Sequence, residues 1–192
     1  MVGSNSTEQR LPPHSRDAER SVLGSMLRDN GVIGDVLQIV RSDNFYLDAH
    51  RKLFAAMIAL YDQAKPVDLV TLADYLRDRK LVDDVGGYAY LAELWDAAPT
   101  AANAEFYARI VREKALVRHL IHASNEILRD CYDQAMPADE LLGDAERKIL
   151  DIAERGITTQ TYPLHQVMSE AFDRIDRRQG DQASISGIPT GF

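Results

Sequence analysis

The sequence predicts an all-α protein: a globular helical head, an antiparallel helical hairpin, then a linker and a separate amphipathic helix. Three observations lead there. Apolar residues recur at helical spacing along most of the chain, and no stretch alternates convincingly as a strand would. Near Ala101 the texture then changes, from short segments broken by Pro and Gly to a long run with neither.

The elements follow in order. Residues 1–11 are small and polar and read as a disordered lead-in. Pro12 and Pro13 end it, and Ser15 is placed to cap a first helix with Asp17 and Glu19 in its opening turn. Val22, Leu23, Met26 and Leu27 form its stripe; "DNGV" then makes a turn. A second helix carries Ile33, Val36, Leu37 and Val40, and a third starts at Asp48 with Leu53, Phe54, Met57, Ile58 and Tyr61. Pro66 separates it from a fourth, marked by Leu69, Leu72, Ala73 and Leu76. Gly86-Gly87 breaks the chain before a short helix in "YAYLAELWDAA", which completes a head over 12–100.

Residues 101–155 read as the hairpin. Its first helix carries Phe106, Ile110, Val117, Leu120, Ile121, Ile127, Leu128 and Cys131; Met136-Pro137 turns the chain. Leu141, Leu142, Ala145, Ile149 and Ile152 mark the second, and so short a join lays the two helices antiparallel. Each has an apolar stripe that needs another surface, so Ile110, Val117, Ile121, Leu128, Leu142 and Ile149 are candidates for self-association. Residues 156–162 are a linker by composition. A last helix is predicted over 163–179, with Leu164, Val167, Met168, Ala171, Phe172 and Ile175 in a clean i, i+3, i+4, i+7 series. Pro163 suits its first turn, Arg177 and Arg178 its last, and Gly180 ends it. That stripe reads as a latch for a neighbouring subunit, since a membrane-surface helix would have a more cationic polar face.

Composition narrows the function. With 45% hydrophobic and 27% charged residues, the 192-residue chain has ordinary globular makeup. A net charge of −8 argues against gripping nucleic acid as the main task of these residues. The N-terminus has no signal-peptide pattern and no stretch is long enough to span a bilayer, so a cytoplasmic location and no membrane partner are expected. The single Cys131 is expected to be a core or half-buried helix residue.

No catalytic, cofactor-binding or metal-binding residue is assigned. A phosphate-binding loop needs glycines followed by Lys, and Lys52, Lys65, Lys80, Lys114 and Lys148 all follow other residues. Gly86-Gly87 is better explained as a turn. His119, His122 and Glu126 lie on one helix at metal-ligand spacing, yet no second cluster completes a site, and a solvated face is the better reading. His14 is placed to dock the first helix. Tyr88, Tyr90 and Trp95 read as packing rather than a base-stacking platform, because few cations accompany them.

Several segments resemble, in wording and order, the N-terminal region of DnaB-type bacterial replicative helicases. They are "PPHSRDAERSVLGSML", "DNFY" with the following His50, "PVDLVTLADYL", "VGGYAYLAEL", "PTAAN", "YARIVREKALVR" and "DAERKILDIAE". The final "GIPTGF" resembles the opening of the family's RecA-like motor domain, so 180–192 read as its truncated start; the Walker A loop would come next. The resemblance implies a hexameric ATP-dependent helicase at the replication fork. Its N-terminal copies pair through hairpins into a collar that recruits primase, and its linker helix packs on a neighbour's motor domain. ATP and magnesium, and most DNA contacts, would belong to that motor domain. A helicase loader is a further candidate partner, and the nucleoid-associated replisome the expected place. These residues alone are expected to hydrolyse no ATP. Two other classes stand beside this one: a free-standing helical adaptor sharing the head fold, and a metal enzyme built on His119, His122 and Glu126.

Overall fold

Ser15 opens the first helix. Its hydroxyl accepts the Ala18 N–H at 3.4 Å, at the start of α1 (Arg16–Arg28), and Asp17 and Glu19 sit in the positive first turn. The computed structural model describes residues 11–133 and 136–156, all helical or irregular, with no strand among them. After α1 come α2 (Ile33–Ile39), α3 (Asp48–Asp62), α4 (Leu69–Asp78), α5 (Gly87–Ala97), α6 (Ala104–Asp133) and α7 (Ala138–Gly156). Short 3₁₀ turns at Asn30–Val32 and Ser42–Asn44 lead into α2 and toward α3.

The all-α expectation therefore holds, and the stripes that predict the early helices face the core, except that Tyr61, at the end of α3, is exposed. Val22, Leu23, Met26 and Leu27 are buried, as are Ile33, Val36, Leu53, Phe54, Met57, Leu72, Leu76, Leu91 and Leu94. Each such side chain contributes roughly 1.5–3 kcal/mol of burial. Ala104, Ala108 and Val111 of α6 belong to the same core, so the first half of α6 packs with α1 and α2 as a head helix. Small residues at these positions let the long helix lie close.

Turn chemistry fixes the joins. Asp29 accepts the Gly31 N–H at 2.8 Å, and Asn30 reaches across to Val67, donating to its carbonyl at 2.7 Å and accepting its N–H at 2.9 Å. Asp68 caps α4 by accepting the Val70 and Thr71 N–H groups at 2.9 and 2.8 Å. Gly86 adopts φ +95°, a left-handed conformation suited to glycine, and the turn reading of the pair stands. On α1, Gly24 lies so near α5 that a Cβ there would overlap the Leu94 carbonyl oxygen.

Two ionisable side chains meet inside the head. Glu19 and His50 are 1% and 0% exposed, and the carboxylate accepts the His50 Nδ1–H at 2.6 Å. It also takes the Tyr46 N–H at 2.7 Å and the Leu47 N–H at 3.4 Å, which secures the turn entering α3. With Nδ1 donating, Nε2 of His50 accepts from the Tyr90 hydroxyl at 2.6 Å. Burial holds the Tyr90 phenol above its ordinary pKa, so it stays a donor.

Candidate self-association surface

Beyond Ala115 the packing changes. Ala123 is the only further buried residue of α6, and none of the described residues of α7 is buried. The two helices pack on each other and are joined by Lys148, which donates to Asp130 of α6 at 2.7 Å and pairs with Asp144 one turn back at 2.9 Å. Its bond to Asp130, then that to Asp144, raises the Lys148 pKa above the ordinary lysine value, while the Lys148 bond lowers Asp144.

Much of the hairpin's apolar surface is open. Of the six predicted hairpin residues, Val117, Ile121, Leu128, Leu142 and Ile149 are exposed, Leu128 by 54% and Leu142 by 71%. Ile110 is half-buried against the head's core. Phe106, Leu120, Tyr132, Met136 and Leu150 are exposed beside them. Large exposed apolar patches on soluble proteins mark interaction sites.

On α6 these residues share one face. Phe106, Ile110, Val117, Ile121, Leu128 and Tyr132 are separated by 4, 7, 4, 7 and 4 positions, an 11-residue repeat. At about 3.67 residues per turn such a stripe barely drifts around a straight helix. A partner helix can thus follow its exposed run from Val117 to Tyr132 on the outer half of α6. Tyr132 and Leu150 are additions to the stripes read from the sequence; the repeat itself points to Tyr132.

Other expectations resolve as follows. His14 stacks on Tyr46 with ring centroids 4.3 Å apart, and its Nδ1 donates to the Pro12 carbonyl across 2.8 Å, a docking role. His122 pairs with Glu126 at 3.3 Å on an exposed face, and among the described residues no group of three His, Cys, Asp or Glu side chains is placed to hold a metal. Trp95 lies under the Arg28 guanidinium at 4.9 Å, and Tyr88 is exposed. Cys131 overturns its expectation: it is exposed, because it lies past the head near the end of α6, at a position that α7 does not cover. The surface groove between α4 and α5 holds Asp74 and Arg77, which pair with each other. The predicted latch residues Leu164, Val167, Met168, Ala171, Phe172 and Ile175 lie outside the described residues. No described helix is long and apolar enough to cross a membrane.

This geometry, a closed head with an open apolar hairpin, has counterparts among known proteins. The family described as DnaB-like helicase N terminal domain matches residues 11–113. The chain belongs to that family. It is 39% identical over 184 residues to the replicative DNA helicase DnaB of Geobacillus stearothermophilus, covering 96% of this chain and 40% of that protein. With the DnaB of Mycobacterium leprae it shares 40% over 185 residues, covering 95% of this chain and 31% of the relative. The chain thus spans well under half the length of these helicases. The crystal structure of the N-terminal domain of DnaB helicase from Mycobacterium tuberculosis superposes with a TM-score of 0.71 at 40% identity, covering 73% of this chain and 99% of that one. A DnaB-like replicative helicase structure described with its interactions with primase shares the fold, with a TM-score of 0.64 at 20% identity over 93% of this chain and 38% of its own.

Proposed function

We propose that these residues are the self-associating, primase-docking N-terminal part of a hexameric, ATP-dependent replicative DNA helicase. The observation that carries this is the family match across the head together with the open apolar hairpin behind it. Hairpins of neighbouring copies cover one another's stripes and build a collar. Primase docks on that collar, a reading supported by the DnaB structures described with primase. Unwinding, ATP and magnesium binding and most DNA contacts fall to a motor domain, which residues 180–192 open. Residues 156–162 link to a helix over 163–179 that latches onto a neighbouring subunit through Leu164, Val167, Met168, Ala171, Phe172 and Ile175. The protein works at the replication fork on the nucleoid, where a loader is a further partner. A free-standing adaptor is not favoured, since the similar full-length proteins are replicative helicases.

The deciding experiment joins this chain to the reading frame that follows Phe192. The full-length protein is expected to unwind a forked duplex with ATP and magnesium and to bind primase in calorimetry. A frame without a glycine-rich loop ending in Lys and Ser or Thr, or a protein that neither unwinds nor binds primase, defeats the proposal. In that protein Phe172→Asp should leave the head folded while weakening the ring; an unaltered hexamer with unaltered unwinding removes the latch.

A further inference from the structure

One arginine stands where the packed half of α6 gives way to the open half. Ala104, Ala108, Val111 and Ala115 seat the helix in the head, and after Ala115 nothing on α6 is buried until Ala123. Arg118 lies in that gap. One arm of its guanidinium donates to the Pro13 carbonyl at 2.7 Å and the other to the carbonyl of Asn44. Both acceptors belong to irregular backbone, one just before the α1 cap and one at the end of a 3₁₀ turn. The guanidinium carbon also lies 5.6 Å from the centre of the Tyr46 ring, and His14 stacks on Tyr46. Glu19 holds the Tyr46 N–H, so the buried carboxylate supports this seat from inside the head.

We propose that Arg118 is a lock that fixes the direction in which the outer half of α6 leaves the head, with Tyr46 as its seat and Glu19 supporting that seat. Two divergent N–H arms on a planar group join two segments distant in sequence to the middle of one helix. A lysine ammonium, a point donor on a flexible stem, cannot span both carbonyls in that way. These two bonds tie the middle of α6 to two other segments of the head, so the lock adds to the helix's own backbone ladder in resisting bending of α6 between Ala115 and Ala123. Because the exposed apolar stripe lies largely beyond Arg118, the lock also sets how that stripe is presented relative to the head. The inference rests on the hairpin geometry alone and stands whether or not the helicase reading does.

The native Cys131, exposed near the outer end of α6, supplies one spin-label site, and Asp62→Cys at the exposed end of α3 supplies the other. Labelled full chain is diluted with unlabelled chain, and the distance distribution is measured by double electron–electron resonance. The parent should give one narrow distribution. Arg118→Ala should roughly double its width or add a second distance, Arg118→Lys should broaden it less, and Glu19→Gln should shift it in the same sense through Tyr46. Helix content by circular dichroism must stay at the parent level; where Arg118→Ala loses it, Arg118→Lys decides. Distributions of the Arg118 variants that superimpose on the parent overturn the lock. So does equal broadening by Arg77→Ala, whose ion pairs with Asp74 and Asp78 stay within the α4 region.

Discussion

The head and the hairpin are built from similar residues and end in opposite states. Leu23, Met26, Leu53, Met57 and Leu94 in the head are shut away completely, while Leu128, Leu142, Tyr132 and Leu150 in the hairpin remain open. The difference is one of partners, not of hydrophobicity. Five helices and half of a sixth close a core around each other, whereas two helices alone can cover only one face each. Within one chain, then, burial is completed in the head and left open in the hairpin. Substitutions should separate the two: head changes should lower stability, and hairpin changes should lower assembly.

The largest loss is expected from the head's interior. Glu19→Ala strands the His50 Nδ1–H and the Tyr46 N–H in a buried site, and each unsatisfied donor costs about 1–3 kcal/mol. The shift in urea midpoint on the full chain reads this directly; a loss under a third of that would mean the pair is replaceable. Gly24→Val pushes a branched side chain into the Leu94 carbonyl and should cost about 1–3 kcal/mol through forced separation of α1 from α5. Near-parent stability there would show that the two helices move apart easily.

A smaller effect tests the cap on α4. The Thr71 backbone N–H, more than the hydroxyl or the Val70 N–H, holds the Asp68 carboxyl below the usual aspartate range. Its folded pKa is therefore below its unfolded one, so the stabilisation is present above the ordinary value of 3.8 and is lost as pH falls through the folded value. Asp68→Asn keeps an acceptor without a titration and should flatten the acid limb of the stability curve below about pH 4. An acid limb identical to the parent's assigns the loss to other groups.

Much of this contrast is legible in the sequence. Helical spacing locates α1 to α5 because each presents one stripe to one core, and Ser15, Asp48 and the Gly86-Gly87 pair mark helix ends where they are found. Spacing does not show that the first half of α6 is a head helix. Ala104, Ala108 and Ala115 carry that role, and small residues leave no stripe to read. Nor does it show the Glu19–His50–Tyr90 chain, which joins α1, α3 and α5 across sequence gaps that no local pattern encodes. Cys131 departs from its expected burial for the reverse reason: a helical position says which face a residue occupies but not whether anything covers that face. In the sequence Arg118 is one more surface cation, and its role emerges only from two carbonyl partners in distant segments.

If a second copy finishes the hairpin's open stripe, association should fall when that stripe is made polar. Sedimentation equilibrium of the full chain at tens of micromolar, beside Leu128→Asp and Leu142→Asp, tests it most directly. The parent should sediment as a dimer or larger, and both variants should shift toward monomer while their urea midpoints stay within about 0.5 kcal/mol of the parent, as exposed positions usually do. A parent that is strictly monomeric at that concentration, or variants that associate as tightly as the parent, would contradict the claim.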